Sequence, residues 1–245
     1  MMKVKAIILG AGQGKRMGSD LPKVLHQICG RPMIQILMEN VRMADIQDIT
    51  VIIGPNMDNV KKAVKPARTA VQTERLGTAH AVLTAKEALK PFKGCILVLF
   101  GDTPLITPET IHKMVADYQA GSDVVVLGFM PTDARRYGRL IMGQDGLDKI
   151  VEYKDATDEQ RAVRLCNSGV MCLNGEQALD LLTQIKNENA AGEYYLTDIV
   201  EIARGKGLKC SVVIGNAEEL HGVNTPEELE TAQEIFMRRT EKGEK

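Results

Sequence analysis

The sequence has no tryptophan and few aromatic residues of any kind, with five tyrosines and four phenylalanines in 245 residues. Proteins that bind single-stranded nucleic acid stack the bases on aromatic side chains, so this scarcity argues against such a protein. The net charge is only −1, and the chain therefore also lacks the positive field that attracts nucleic acid. We expect no nucleic-acid partner.

Long apolar runs are also missing. The longest, such as CILVLF (95–100), are far shorter than the roughly 20 residues that a helix needs to cross a bilayer. The N-terminal apolar run leads into glycines instead of a small-residue cleavage site, which argues against a secretory leader. We expect no association with a membrane.

Cysteine is scarce and shows no paired spacing. The five cysteines form no C-x-x-C motif, and they are Cys29, Cys95, Cys166, Cys172 and Cys210. A disulfide framework or a structural zinc site normally shows regular, paired cysteines. The pattern indicates a reducing compartment, and we expect a cytoplasmic protein.

Short β-rich runs alternate with amphipathic stretches through the first half of the chain. The predicted strands are VKAIIL (4–9), DITVIIG (48–54), CILVLF (95–100) and SDVVVLGFM (122–130). The predicted helices are PMIQILMENVRMA (32–44), TAHAVLTAKEAL (78–89) and TPETIHKMVADYQ (107–119), the last with Thr107 as its cap. This alternation predicts an α/β fold with a mostly parallel sheet.

The alternation of strand and helix patterns stops after about residue 130. GRLIM (138–142), LDKIVEY (147–153) and NSGVMCL (167–173) predict short strands of a smaller, partly antiparallel region over the C-terminal edge of the sheet. Helical patterns then return at 176–185 and 196–207, followed by a strand at 209–215 and a last helix at 225–239. No internal repeat or long linker interrupts the chain, so we expect a single domain over 1–245.

A glycine-rich segment, LGAGQGKRM (9–17), directly follows the first predicted strand, and Lys23 follows Pro22 soon after it. Ligands of open α/β sheets bind beyond the C-terminal ends of the strands. Glycines let backbone N–H groups approach phosphate oxygens, and lysine or arginine supplies the opposite charge. The spacing fits neither a Walker loop, because of Met17, nor the G-x-G-x-x-G fingerprint, because of Lys15. A tight turn without a ligand is the alternative.

The longer pattern, L-G-A-G-Q-G-K-R-M-x4-P-K, resembles the signature of the sugar-nucleotide pyrophosphorylases, L-x2-G-x-G-[TS]-R-M-x4-P-K. From about residue 4 to 235, further blocks are similar to the uridylyltransferase domain of bacterial bifunctional N-acetylglucosamine-1-phosphate uridylyltransferase/glucosamine-1-phosphate acetyltransferases. These blocks are QTERLGTAHAV, LVLFGDTPLI, YGRL, IVEYKDATDEQ, NSGVM, GEYYLTDIV and HGVNTPEEL.

The resemblance implies a Rossmann-like nucleotidyltransferase fold and a Mg²⁺-dependent reaction. UTP and N-acetylglucosamine 1-phosphate would give UDP-N-acetylglucosamine and pyrophosphate. The predicted single domain consists of a nucleotide-binding half (about 1–130), a sugar-binding half (about 131–225) and a C-terminal helix and tail (226–245). Larger relatives carry a β-helix of hexapeptide repeats, which this sequence lacks. We therefore expect no acetyl transfer, and a monomer or a weak dimer.

The resemblance also assigns residues to the phosphates and the metal. Arg16 would meet the departing β- and γ-phosphates, and Lys23 the phosphates near the reacting centre. Asp102 and Asn224 would hold Mg²⁺, a hard cation that prefers oxygen ligands. The nucleotide would lie in a backbone cradle formed by Leu9, Gly10, Ala11, Gly12 and Gly14.

Two further groups follow from the same resemblance. Gln72, Gly77 and Thr78 would read the uracil base. The sugar would be bound by Gly138, Glu152, Asn167, Tyr195 and Thr197.

Two positions depart from the family pattern. Lys15 replaces the usual Thr or Ser and either contacts a phosphate or faces solvent. Phe100 stands where similar family members usually carry Tyr, which leaves the identity of the sugar open. The alternatives are therefore a pyrophosphorylase for another hexose 1-phosphate or nucleotide, a sugar-nucleotide-binding domain without turnover, and a Rossmann dehydrogenase.

Overall fold

The structure, a computed structural model, describes residues 2–134, 137–241 and 243. Residues 242, 244 and 245 of the expected tail lie outside this part of the chain. The described strands are β1 (Lys3–Leu9), β2 (Gln27–Ile28), β3 (Arg31–Pro32), β4 (Asp48–Ile53), β5 (Arg68–Val71), β6 (Gly94–Phe100), β7 (Val124–Phe129), β8 (Arg139–Gly143), β9 (Gly146–Val151), β10 (Cys166–Asn174) and β11 (Cys210–Ile214). The described α-helices are α1 (Met33–Met43), α2 (Asp58–Ala63), α3 (Thr78–Leu83), α4 (Pro108–Gln119), α5 (Asp158–Ala162), α6 (Ala178–Thr183), α7 (Ile199–Gly205) and α8 (Pro226–Glu241).

One large sheet forms the centre of the fold, with its main strands in the order β11-β7-β10-β6-β1-β4-β5. Neighbouring pairs are parallel except where β10 runs antiparallel to β6 and β7. The hairpin β8–β9 attaches through β10, and β2 pairs with β3 in a separate ribbon. The prediction of an α/β fold with a mostly parallel sheet is therefore confirmed.

Both faces of the sheet are covered, because successive side chains of a strand point to opposite sides. In β1, Ala6 and Ile8 join a core cluster with Ile34 of α1, whereas Ile7 joins a second cluster with Ala79 of α3. All five are fully buried. This burial on both faces explains why the central strands appear in the sequence as continuous apolar runs.

The start of α4 forms as its sequence predicts. The Thr107 hydroxyl accepts a hydrogen bond from the Thr110 backbone N–H at 3.2 Å, and Pro108 occupies a first-turn position that needs no donor. In contrast, α3 ends at Leu83, although the helical pattern continues to residue 89. Thr84 accounts for this end, because its hydroxyl donates to the Ala81 carbonyl at 2.7 Å and competes with the helical pattern.

The greatest departure from the sequence prediction concerns NSGVMCL (167–173). We placed it among the short strands of a smaller region, but in the structure it is most of β10, in the middle of the main sheet. Met171 pairs with Val98 on one side and with Val126 on the other. In the described part of the chain after residue 130, β8 and β9 form the antiparallel pair beside the main strands, and β11 pairs with β7 within the sheet.

Candidate active site

The strand order places a crevice between β1 and β6. From β1 the chain moves outwards to β4 and β5, and it then returns to the other side of β1 to form β6. Such a reversal separates the loops that leave the two strands and is the usual ligand site of an open α/β sheet. Leu9 and Phe100 are paired at the ends of these strands, and the Gly101 N–H donates to the Leu9 carbonyl at 2.9 Å.

The glycine-rich loop begins at this crevice and folds closely over Lys23. Gly14 has a φ of 67°, and a Cβ atom there would lie 2.8 Å from the Cβ of Lys23. Glycine is therefore required at position 14 both for its backbone conformation and for the close approach of the lysine. The same loop brings Gly12 to the lysine, since a Cβ at Gly12 would lie 3.7 Å from its Cε.

The loop leaves several backbone donors for a ligand. The N–H groups of Ala11, Gly12 and Gly14 donate to no other residue in the described part of the chain. Gly10 differs, because its N–H donates to the Ile52 carbonyl of β4 at 2.8 Å and is used by the fold. The N–H of Gly10 therefore does not belong to the expected phosphate cradle, although its lack of a side chain allows the close approach to β4.

Four side chains that are distant in the sequence meet beside this loop. Lys23 forms an ion pair with Asp102, and its Nζ also donates to the Asn224 Oδ1 at 3.1 Å. Arg16 donates to the same Asn224 oxygen through Nη2 at 3.0 Å. The structure thus brings together both predicted phosphate-binding cations and both predicted metal-binding residues.

The backbone holds Asp102 and Asn224 side by side. The Val223 N–H donates to the Asp102 carbonyl at 2.8 Å, so the segment before α8 is fastened to the loop after β6. The Thr103 hydroxyl closes that loop by donating to the Phe100 carbonyl at 2.8 Å. Neither Asp102 nor Lys23 is fully buried, with side-chain exposures of 20% and 15%. Both groups can therefore reach a ligand in the crevice.

The chemistry of this cluster suits a hard divalent cation. One carboxylate oxygen of Asp102 and the amide oxygen of Asn224 converge on a single point of positive charge, the Lys23 ammonium. Mg²⁺ is typically held by one or two protein oxygens, and phosphates and water complete its coordination. The described residues contain no cluster of three or more His, Cys, Asp or Glu side chains with metal-binding geometry. A site of this kind would therefore depend on substrate oxygens.

Gln72, the predicted base-reading residue, lies against the wall of an adjacent cavity. Its Nε2 donates to the Gly77 carbonyl at 3.2 Å and lies 3.3 Å from the His80 Nδ1. With the NH₂ group engaged there, the side-chain oxygen is the part that can accept a hydrogen bond from a ligand. The cavity has a volume of about 320 Å³ and is lined by Leu9, Ala11, Gly12, Lys23, Val24, Gln72, Arg75, Gly77, Thr78, Ala81, Phe100, Asp102 and Glu193.

Two of the predicted sugar-binding residues, Glu152 and Tyr195, line a second cavity of about 660 Å³. The Thr197 hydroxyl donates to the Glu152 Oε1 at 3.2 Å. Burial is the main cause that raises the pKa of Glu152, and the hydrogen bond from Thr197 opposes this shift. A Cβ at Gly138 would lie 3.4 Å from both carboxylate oxygens, an ordinary contact distance, and 3.2 Å from the Ile150 Cγ2, so the Gly138 backbone lies directly beside Glu152.

Asn167 joins this group from β10. Its N–H donates to the Gly138 carbonyl at 2.9 Å, and its side-chain oxygen accepts from the Gly169 N–H at 2.9 Å. The side-chain NH₂ group is therefore the part of Asn167 that can donate to a ligand. Gly169 has a φ of 90°, and a Cβ there would lie 2.7 Å from the Phe100 ring, which packs directly against this backbone.

The two cavities are joined by contacts between their walls. The Thr78 hydroxyl accepts a hydrogen bond from the Leu196 N–H at 2.9 Å, and the Ala79 N–H donates to the Tyr194 carbonyl at 2.9 Å. Gly77 has a φ of 120°, and a Cβ there would lie 2.5 Å from the same carbonyl. The loop predicted to read the base is thus fastened to the segment predicted to line the sugar.

Sequence reasoning missed two charged residues of the site. Glu193 lines both cavities, and Arg75 lines the first cavity together with an outer one of about 600 Å³. Lys15 lines that outer cavity and is exposed, so it faces open space beside the loop. Both missed residues lie within quoted blocks, Arg75 in QTERLGTAHAV and Glu193 in GEYYLTDIV, so the blocks marked their segments without assigning either side chain a role.

Comparison with known proteins identifies the family. Residues 6–170 match the MobA-like NTP transferase domain. The chain belongs to the MobA-like NTP transferase family. The domain is therefore a nucleotidyltransferase, and no helix among its described residues is long and apolar enough to cross a bilayer.

Relatives in this family are similar over almost the whole chain. Proteins named "Bifunctional protein GlmU" are 55% identical over 241 residues in Rhodospirillum rubrum and 49% identical over 239 residues in Paramagnetospirillum magneticum. These alignments cover 98% and 97% of this chain but 54% and 53% of the two relatives. The chain thus spans about half the length of these relatives. The match to these relatives confirms the resemblance found in the sequence.

Proposed function

We propose that the chain catalyses the reaction of UTP with N-acetylglucosamine 1-phosphate, which yields UDP-N-acetylglucosamine and pyrophosphate. The observation that carries the proposal is the convergence of Arg16, Lys23, Asp102 and Asn224 at the crevice between β1 and β6. A protein that only binds a sugar nucleotide has no need for two cations and two oxygen ligands at one point. The extensive similarity to the GlmU proteins supports the same proposal.

The chemistry is an in-line displacement in which a phosphate oxygen of the sugar phosphate attacks the α-phosphorus of UTP. No covalent enzyme intermediate is required, so the protein contributes by positioning the reactants and neutralising charge. The N–H groups of Ala11, Gly12 and Gly14 face the triphosphate, Arg16 binds the departing phosphates, and Lys23 lies nearest the reacting centre. A Mg²⁺ ion held by Asp102 and Asn224 would neutralise further phosphate charge.

The state of Gln72 favours a uracil base. Because its NH₂ group is engaged with Gly77, its oxygen is left as an acceptor, and uracil has an N3–H donor to match it. Cytosine presents an unprotonated N3 at the same place, and the two acceptors would face each other.

The sugar is proposed to bind beside Glu152. The Glu152 carboxylate accepts hydrogen bonds from hydroxyl groups, as it does from Thr197, and the NH₂ group of Asn167 supplies a donor. A pyrophosphorylase for another hexose 1-phosphate is the second candidate. The observation that favours it is Phe100, which packs against Gly169 between the two sites and offers no hydroxyl group.

Pyrophosphate release tests the proposal directly. The purified chain would be supplied with UTP, Mg²⁺ and either N-acetylglucosamine 1-phosphate or glucose 1-phosphate, and then with both sugars in competition. We expect release with N-acetylglucosamine 1-phosphate. In the mixture, where both sugars release the same pyrophosphate, we expect the preference for it to appear among the nucleotide sugars formed. A preference for glucose 1-phosphate would support the second candidate, and binding of UTP without release would indicate a domain that lacks turnover.

A further inference from the structure

Asn224 directly precedes α8, and its position depends on how this helix begins. Its side-chain oxygen has to stay close to Arg16, Lys23 and Asp102 if it is to act as an oxygen ligand. The segment before a helix has no regular hydrogen bonds of its own, so other groups must fix it. The fastening of Val223 to Asp102 secures one side of Asn224.

Glu228 secures the other side. Its Oε2 accepts a hydrogen bond from the Asn224 backbone N–H at 2.7 Å, a distance typical of a strong bond to a charged acceptor. The Glu228 backbone is itself held, because its N–H donates to the Thr225 hydroxyl at 3.3 Å and its carbonyl lies 2.9 Å from the His221 Nε2. The backbone of Glu228 is therefore fixed at both its N–H and its carbonyl, and only its side chain extends to Asn224.

This arrangement differs from an ordinary capping box. In the usual box, a Thr at the start of a helix and a Glu three residues later bond to each other's backbone N–H groups. Thr225 and Glu228 have this spacing, and the Thr225 hydroxyl makes its half of the box. The Glu228 carboxylate instead accepts from Asn224, one residue earlier. The carboxylate that would complete an ordinary capping box thus binds Asn224, a residue of the candidate active site.

We propose that Glu228 is a positioning residue, which holds Asn224 so that its side-chain oxygen faces Lys23 and Asp102. The catalytic part of this inference rests on the proposed function, because it takes Asn224 as a ligand of the reacting complex. Groups that orient a ligand from behind typically change metal affinity or activity by about 10- to 100-fold when they are removed. Among the described residues, no hydrogen bond or ion pair joins Glu228 to Arg16, Lys23 or Asp102, so we expect its effect on the site to pass through Asn224.

The test compares three variants of the full chain. Glu228→Ala removes the acceptor, whereas Glu228→Gln keeps a side-chain oxygen at the same distance from the backbone. Glu227→Ala is the matched control, because Glu227 is also an acidic residue in the first turn of α8. Its side chain is hydrogen-bonded to Thr225, whereas the Asn224 N–H donates to Glu228. Both alanine variants remove one negative charge from the start of the helix, so their effects on the helix dipole are alike.

Two measurements are made on each variant, without substrate and with it. The first is the NMR shift of the backbone N–H and side-chain NH₂ groups of Asn224, with the thermal midpoint recorded beside it. The second is kcat and KM for pyrophosphate release. We expect Glu228→Ala to move both Asn224 signals and to lower kcat by about tenfold. Glu228→Gln and Glu227→Ala should stay close to the parent protein in both measurements.

The inference is overturned if Glu228→Ala leaves the Asn224 side-chain signals in place, or moves them without lowering kcat. It is also overturned if Glu227→Ala lowers kcat as much, because the effect would then be one of helix capping. If the parent protein releases no pyrophosphate from UTP, the proposed function fails. The NMR comparison still decides whether Glu228 positions the Asn224 side chain.

Discussion

The Lys23 ammonium lies 3.1 Å from the side-chain oxygen of Asn224, although 201 positions separate the two residues in the sequence. The contact joins the first loop of the domain to the start of its last helix. Arg16 shares the same oxygen, and Asp102 pairs with the same lysine. The phosphate-binding and metal-binding assignments therefore describe one site, and changes to either pair should affect the same chemical step.

Removal of either proposed metal-binding oxygen should lower turnover without unfolding the protein. Asp102→Asn keeps the shape of the side chain and removes its charge, and Asn224→Ala removes the amide oxygen. We expect each variant to lose at least roughly 100-fold in kcat, or about 2.7 kcal/mol of transition-state stabilisation. The kcat of the double variant should be only slightly lower than that of the less active single variant, because both residues act on one centre.

The control for this experiment is Asn216→Ala, which removes an exposed asparagine whose oxygen only caps the Glu218 N–H. It should keep normal turnover. Near-normal rates for Asp102→Asn and Asn224→Ala at saturating Mg²⁺ would remove both residues from the metal site.

Two glycines of the opening loop provide a matched test of how Lys23 is placed. Gly14 and Gly18 have φ values of 67° and 64°, so alanine at either position bears a similar backbone strain of about 1–2 kcal/mol. Only at Gly14 would the new Cβ also meet Lys23, at 2.8 Å, since nothing lies within 4 Å at Gly18. Gly14→Ala should therefore lower kcat far more than Gly18→Ala does when both are assayed at a temperature at which each is folded, although its clash with Lys23 also costs additional stability. Equal turnover in the two variants would show that the lysine does not depend on this contact.

Asp198 should make the stability of the domain depend on pH. Burial, followed by the charges of Glu201 and Asp155, raises its pKa from 3.8 to about 6. An acid whose pKa is raised by folding holds its proton more tightly in the folded state, so stability is greatest below 3.8 and falls as the pH rises to about 6. Because the group is half-buried, we expect a loss of roughly 1 kcal/mol, less than the full shift would imply.

Asp198→Asn removes this titration. The variant should be more stable than the parent protein at pH 7.5 and show little of this difference at pH 4, as measured by urea unfolding at both values. Asp180→Asn is the control, because a hydrogen bond from Lys206 lowers the pKa of Asp180, the opposite direction to the shift at Asp198. This control should not be more stable than the parent protein at pH 7.5. A constant difference between Asp198→Asn and the parent protein at both pH values would contradict the assignment.

Local patterns were sufficient to predict much of the fold. The apolar runs that became β1, β4 and β6 and the Thr107 cap of α4 are set by neighbouring residues, and each formed close to its expected bounds. The place of β10 could not be predicted in this way. β10 lies antiparallel between β6 and β7, which precede it in the sequence by about 75 and 40 residues. The sequence of a single strand does not indicate which strands it will pair with, so this position could not be predicted.

In the candidate site, too, the sequence indicated individual residues but not the long-range contacts between them. The motifs pointed to Lys23, Asp102 and Asn224 one by one, but their contacts depend on the strand order and on the fastening of Val223 to Asp102. Glu193 lies in the quoted block GEYYLTDIV, but its place at both cavities depends on the fold of the loop before it, in which Asn189 binds both the N–H and the carbonyl of Glu193. Gly10 illustrates the reverse case, because its motif suggested a phosphate contact and its N–H is used by β4.

The identity of the nucleotide tests the central claim most directly. UTP, CTP and ATP would be supplied together at equal concentrations with N-acetylglucosamine 1-phosphate and Mg²⁺, and the nucleotide sugars would be separated by chromatography. A mismatch at the Gln72 oxygen leaves buried groups unpaired at about 1–3 kcal/mol each, so UDP-N-acetylglucosamine should exceed the other products by roughly tenfold or more. Equal amounts of the three products, or a predominance of the cytidine or adenosine product, would contradict the account.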